Sequence, residues 1–126
     1  KRIAMMRPIK TVPELVEAIR RSTPPKNRNK TIVRVFQAIR IAVNDELDKL
    51  DSFLSFFYRR LRIGGRIVII SFQSLEDRKI KHTFRELGKK KRIKILTKKP
   101  LVPCQEEIKN NNRSKSAKLR AAERIG

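Results

Sequence analysis

Apolar residues recur at steps of three and four along the first half of the chain: Phe36, Ile39, Val43, Leu47, Leu50, Leu54, Phe57 and Leu61. That spacing lays them on one helical face and predicts helix over about residues 31–61. Asp51-Ser52 is a place where the helix can restart, so two helices with a kink there fit the same pattern. A coiled coil is the alternative, cut short by Gly64-Gly65 and the different pattern beyond them. Upstream, Thr11-Val12-Pro13-Glu14 predicts a helix start. Thr11 caps, Pro13 suits an early helical position and Glu14 sits at capping-box spacing. Leu15, Val16 and Ile19 give this helix an apolar side. Thr23-Pro24-Pro25 ends it, because proline cannot continue a helix. Residues 26–30 read as a basic loop.

After Gly64-Gly65 the pattern changes. Ile67-Val68-Ile69-Ile70 is a β-branched run with no polar alternation, which predicts a strand covered on both faces, typical of a parallel sheet. The glycines end the preceding helix and turn the chain into that strand. Ser74 and Asp77 repeat the capping-box spacing, predicting a helix to about residue 87 with Ser74 as its cap. Ile93, Ile95 and Leu96 suggest a strand that ends by Pro100. Glu106-Glu107-Ile108 suggests one helical turn, and Asn110-Asn111-Asn112 a loop. Residues 117–125 read two ways: their composition favours helix, yet Leu119, Ala121 and Ile125 suit an edge strand. Helix, turn, buried strand and helix in this order predict an α/β layered fold.

Charge narrows the class of partner. The 126 residues, one domain at most, carry 33 Lys+Arg against 12 Asp+Glu, a net charge of +21. A compact body so charged repels itself unless an anion neutralises it. Nucleic acid is the first candidate, and a membrane surface the second. No segment is apolar and long enough to span a bilayer. The single cysteine, Cys104, excludes an internal disulfide and fits a reducing compartment. With one His in the chain it cannot build a typical structural zinc site, so no metal is expected. The first residue is Lys1 rather than Met, which predicts a processed chain or a piece of a longer one.

Ligands of open α/β sheets gather beyond the carboxyl ends of the strands. That edge is Ser71-Phe72-Gln73-Ser74 here, followed by a helix start that suits an anion. Ser74, Glu76 and Asp77 serve a purely structural cap equally well. Gln37, Arg40 and Asn44 share a narrow arc beside the apolar stripe of the long helix, with Arg34 slightly further round. Such a flank lines a cleft or simply faces solvent. Thr23-Pro24-Pro25-Lys26 lacks the preceding strand and following aromatic of an amino-methylating Pro-Pro motif, and reads as a helix stop. His82 reads as a surface residue and Cys104 as a small apolar filler. Arg34, Lys98, Lys99, Arg113, Lys115 and Lys118 are candidate phosphate contacts, and so is the cluster Lys89-Lys90-Lys91-Arg92. Aromatics do not interleave with these clusters, so a base-stacking platform is not predicted. The four glycines, Gly64, Gly65, Gly88 and Gly126, make no glycine-rich nucleotide-binding turn, so this chain is expected to hold no cofactor-binding residues.

Three runs, in order, carry a resemblance. They are Phe36-Gln37-Ala38-Ile39-Arg40-Ile41-Ala42-Val43-Asn44-Asp45-Glu46-Leu47, then Gly64-Gly65-Arg66 with Ile70-Ser71-Phe72-Gln73-Ser74-Leu75-Glu76-Asp77-Arg78, then Arg113-Ser114-Lys115-Ser116-Ala117-Lys118-Leu119-Arg120 with Ala122-Glu123-Arg124. Together they resemble the carboxyl-terminal half of the MraW/RsmH family of small-subunit rRNA cytosine-N4 methyltransferases. Lys1-Arg2-Ile3-Ala4 and Pro8-Ile9-Lys10-Thr11 resemble the end of that family's inserted helical region. The resemblance implies the carboxyl-terminal part of a Rossmann-like methyltransferase sheet over residues 31–126, preceded by the end of a helical insertion over residues 1–30. It implies S-adenosylmethionine as donor, a small-subunit rRNA cytosine as acceptor, and a separate amino-terminal half that holds the donor. It also implies a cytoplasmic setting of bacterial type, or an organelle. The acceptor side would be served by Ser71, Phe72, Gln73, Ser74, Asp77, Arg78, Gln37, Arg40 and Asn44. The sequence departs from the family pattern at Gln73, where a His is usual, and in Lys30-Thr31-Ile32-Val33-Arg34-Val35, which keeps only the Arg. The stretch between Ile3 and Pro8 is several residues shorter than the family pattern. A non-catalytic RNA-binding or ribosome-assembly factor, or a free-standing basic ribosomal protein, is the alternative.

Overall fold

The structure, a computed structural model, describes residues 8–126. The resemblance at Lys1-Arg2-Ile3-Ala4 and the shortened stretch before Pro8 lie outside them. The chain divides into two compact units, Lys1–Glu46 and Leu47–Gly126.

In the first unit, helix α1 spans Val12–Ser22 and α2 spans Arg28–Asn44. The expected capping box is present. Thr11 Oγ1 accepts from the Glu14 amide at 3.4 Å, and Glu14 Oε2 accepts from the Thr11 amide at 3.4 Å and the Lys10 amide at 2.7 Å. These bonds hold the Glu14 carboxyl below its ordinary pKa, the Lys10 amide contributing most. Ala18 and Ile19 are fully buried where α1 meets α2. The expected basic loop is shorter than the sequence suggests: a 3-10 turn over Pro25–Asn27 runs straight into α2.

The long periodic stretch is two helices, and the break lies earlier than Asp51-Ser52. Asp45 takes the left-handed conformation (φ 51°), ends α2, and lets α3 begin as Glu46–Arg60. A short polar side chain tolerates that conformation better than a branched one, so Asp45 is where the ladder gives way.

The second unit is built on a three-stranded sheet. Strand β1 is Arg66–Ser71, β2 is Ile93–Ile95 and β3 is Lys118–Arg124, in the spatial order β1-β3-β2. Both β1 and β2 pair antiparallel with β3, so they run parallel to each other with β3 between them. Helix α4, Ser74–Lys89, crosses from β1 to β2. A short helix α5, Gln105–Asn110, and a 3-10 segment, Asn112–Ser116, lead into β3. The expected α/β layering is present. The local expectation for β1 is corrected: its bonded neighbour among the described residues is antiparallel. Ile67 and Ile69 face the core while Val68 and Ile70 are exposed. Residues 117–125, left open between helix and edge strand, supply the central strand. Their alternation puts Arg120 and Ala122 inward.

The core lies between the sheet and helices α3 and α4. Leu54, Phe57, Ile80, Phe84, Ile93 and Ala122 are buried together, with Leu50, Leu61, Ile67, Ile69 and Leu87 around them. Burying side chains such as Phe84 and Ile80 stabilises by about 1.5–3 kcal/mol each. Gly64 (φ 80°) and Gly65 form the turn into β1. The Gly64 amide donates to the Arg124 carbonyl and the Arg124 amide to the Gly65 carbonyl, both at 2.8 Å. Arg124 then reaches back with its guanidinium to the carbonyls of Leu61 and Arg59 at the end of α3. A cation on the last carbonyls of a helix is favoured by the helix dipole.

Candidate functional site

The segment 71–78 follows from β1 into the first turn of α4, at the carboxyl end of the strand. Ser71 is buried, with its Oγ donating to the Lys118 carbonyl at 3.5 Å. Phe72 is 52% exposed, and its amide donates to Glu76 Oε2 at 3.2 Å. Gln73 is buried and Ser74 and Arg78 are exposed. Gln73 is the residue that precedes the helix, so Ser74 lies at its first position and is not the cap the spacing suggested. The partner expected to complete that box is engaged elsewhere. Asp77 Oδ1 accepts from Arg120 Nε at 2.7 Å and Oδ2 from Arg120 Nη2 at 3.1 Å, with Lys118 Nζ at 3.9 Å.

This fork ties the start of α4 to the central strand. Both side chains are nearly inaccessible, at 8% for Arg120 and 11% for Asp77. The bond from Arg120 holds the Asp77 carboxyl below its ordinary range. Burial opposes that, and the charges of Arg120, Lys118 and Lys81 reinforce it. Planar, bidentate pairing is the geometry a guanidinium offers a carboxylate. The pair therefore fixes the path of residues 71–77, while Phe72, Ser74 and Arg78 remain on the accessible side. Lys118 stands beside this pair, whereas Lys98 and Lys99 are exposed on the loop after β2, and Arg113 and Lys115 on the 3-10 segment before β3.

In the first unit, Gln37 and Arg40 line a shallow groove of about 610 Å³ with Ile32, Val33 and Phe36. Asn44 is drawn to the same neighbourhood by Glu46. Glu46 Oε1 accepts from Asn44 Nδ2 at 3.2 Å and lies 3.2 Å from Arg40 Nε. Arg34 lines an adjoining hollow with Asn29, Lys30 and Val33.

Arg120 and Arg124 are the side chains shaping this region that residue-by-residue reading did not single out. Their signal was an arginine on the inward face of a strand, next to Ala122. A cation so placed requires a buried acceptor. The glycines bear on donor binding. The Gly64-Gly65 turn is occupied by the chain itself, since both backbones bond to Arg124 and a Cβ at Gly65 would meet the Arg62 carbonyl oxygen at 2.8 Å. These glycines close a protein turn and offer no cradle for a nucleotide-like donor. No group of His, Cys, Asp and Glu suited to a metal exists among the described residues, and none of their helices is long and apolar enough to cross a membrane.

Comparison with known proteins extends over nearly the whole chain. The model of the MraW methylase family matches residues 1–125. A protein of Kosmotoga olearia named ribosomal RNA small subunit methyltransferase H is 54% identical over 99% of this chain, which covers 43% of that relative. Proteins of the same name from Nostoc punctiforme and Carboxydothermus hydrogenoformans are 52% and 48% identical, over 99% and 94% of the chain and 42% and 44% of their own lengths. The chain thus spans about two-fifths of the length of these curated relatives. Its helices and antiparallel three-stranded sheet fit a partial α/β methyltransferase domain, as the resemblance implied. On these matches the chain belongs to the MraW methylase family.

Proposed function

We propose that this chain forms the acceptor side of an S-adenosylmethionine-dependent enzyme that methylates the N4 amino group of a cytosine in small-subunit ribosomal RNA. It would act together with the remaining part of the family's methyltransferase, which holds the donor. The observation that carries the reading is the segment 71–78, delivered by β1 and pinned from below by the Asp77–Arg120 fork. The chemistry needs a base removed from its stack and held with its amino group in line with the methyl. An exposed Phe72 offers a stacking face, and Ser74 and Arg78 offer hydrogen bonds and a cation for the flanking phosphate. Gln73 lies buried just before α4, and Gln37, Arg40 and Asn44 in the first unit are further candidate acceptor contacts. Arg34, Lys98, Lys99, Arg113, Lys115 and Lys118 supply phosphate contacts. The charge of +21 suits RNA as the partner.

The donor supplies the methyl group. Gly64 and Gly65 close a turn of the chain itself, and the share of this chain in the proposal is to bind and orient the acceptor. The test is reconstitution: this chain mixed with the remaining portion of the Kosmotoga olearia relative, small subunits lacking the modification, and methyl-labelled S-adenosylmethionine. Label should enter the RNA only when both pieces are present, and calorimetry of the chain alone with the donor should give no heat. Tight donor binding by the chain alone would contradict this account. Silence of the complemented mixture, with RNA binding retained, would favour an RNA-binding assembly factor instead. That alternative has one observation in its favour, Gln73 where the family pattern has a titratable His.

A further inference from the structure

A second basic feature lies in the unit Leu47–Gly126, between α3 and α4; it joins Lys90 and Arg92, from the basic cluster already named as a phosphate candidate, to Arg59 on the facing helix. A groove of about 680 Å³ is lined on one side by Asp51, Ser55, Tyr58 and Arg59 and on the other by His82, Glu86, Lys90 and Arg92. Its two acids are already engaged: Asp51 pairs with Lys79, and Glu86 with Lys89 at 3.1 Å. Arg59, Lys90 and Arg92 have no acidic partner within ion-pair distance among the described residues, and so leave an excess of positive charge.

Tyr58 sits among these cations. Arg59 Nε donates to its hydroxyl at 3.2 Å, and the guanidinium carbon lies 5.7 Å from the ring centre. The hydroxyl's pKa is lowered, chiefly by that bond; burial opposes it, and the charges of Arg59, Arg92 and Lys90 add to the lowering. The path of the chain preserves the arrangement. Lys91 takes the left-handed conformation (φ 53°) just past α4, with the Arg92 amide donating to the Leu87 carbonyl at 2.9 Å. Glycine is the usual residue at such a helix end. Here a lysine takes its place, and the turn carries the chain from Lys90 to Arg92 along the groove.

We propose that this groove binds the phosphate backbone of an RNA segment through Arg59, Lys90 and Arg92, with the Tyr58 ring beside it. The proposal rests on the reading of the chain as RNA-directed and adds a contact separate from the segment 71–78. Tyr58 also makes it testable, since the chain has one tyrosine and no tryptophan, so its intrinsic fluorescence reports from the groove.

The experiment uses the 126-residue chain and a labelled single-stranded RNA oligonucleotide, with anisotropy recorded across a KCl series. The triple variant R59A/K90A/R92A should bind at least tenfold more weakly. The slope of log K against log salt should flatten by about 2, at roughly 0.7 per lost phosphate contact. The variant K10A/R20A/K49A, which removes as much charge from exposed positions elsewhere, should change affinity less than threefold. In the unmodified chain, RNA should quench Tyr58 saturably after correction for its absorbance, with the same salt dependence. Equal losses in both variants, or RNA binding without quenching, would overturn the groove and leave the wider reading intact. Quenching by polyglutamate as strong as by RNA would overturn the assignment to RNA. Failure of the unmodified chain to bind RNA at all would sink the RNA-directed reading and this contact with it.

Discussion

At the scale of single residues, the Asp77–Arg120 fork is the interaction whose loss should be felt most. Replacing Asp77 with Ala leaves a guanidinium buried without its partner, and urea unfolding should show a loss of about 3 kcal/mol. Replacing both partners with apolar residues of similar size should cost clearly less, because neither charge is then stranded. The fork also gives stability a pH dependence of definite sign. The Asp77 carboxyl titrates below its ordinary value in the folded chain, so its contribution is complete above the unfolded pKa of about 3.9 and disappears as pH falls through the lower folded value. Acid unfolding of the D77N variant should therefore lack part of the loss of stability that the parent shows below about pH 4. Asp77 was legible as a residue that matters and illegible in its role. Its partner lies 43 positions away, and the spacing to Ser74 pointed to a local cap instead. Long-range pairing of this kind leaves no periodic trace, whereas the Thr11–Glu14 box, closed within four residues, was readable in full.

Elements follow a similar division. Helices were legible from their apolar spacing, and β1 from its β-branched run, because both signals are local. The helix break was misplaced because Asp45 and Asp51 carry the same side chain, and only the backbone distinguishes them. The last strand was ambiguous because Lys118–Arg124 mixes helix-forming composition with strand alternation, and the choice is made by β1 and β2 on either side. Turn geometry at this scale predicts two opposite outcomes. Gly65→Ala places a methyl group 2.8 Å from a carbonyl oxygen of the backbone, and should lower stability by about 1–3 kcal/mol in denaturant titrations. Lys91→Gly relieves a left-handed lysine. It should raise stability by about 0.5 kcal/mol, since glycine's added freedom when unfolded offsets part of the gain.

For the whole molecule, the imbalance is between the two faces of the sheet. One is sealed by α3 and α4, while Val68 and Ile70 on the other are more than half exposed, with Leu101 and Val102 exposed on the loop that bridges to β3. Among the described residues the outer edge of β1 has no bonded strand either. Apolar surface of that kind invites association, and the charge of +21 opposes it most at low ionic strength. Sedimentation of the 126-residue chain should therefore show self-association that grows with salt. Replacing Val68 and Ile70 with Thr should reduce it without lowering the unfolding free energy. The strand order carries one more consequence. Among the described residues neither β1 nor β2 pairs with any strand but β3, so these three strands cannot join on a ribosome until residues 118–124 have left the exit tunnel. A nascent chain arrested at residue 117 would present two orphan strands and a naked core, a natural client for a chaperone.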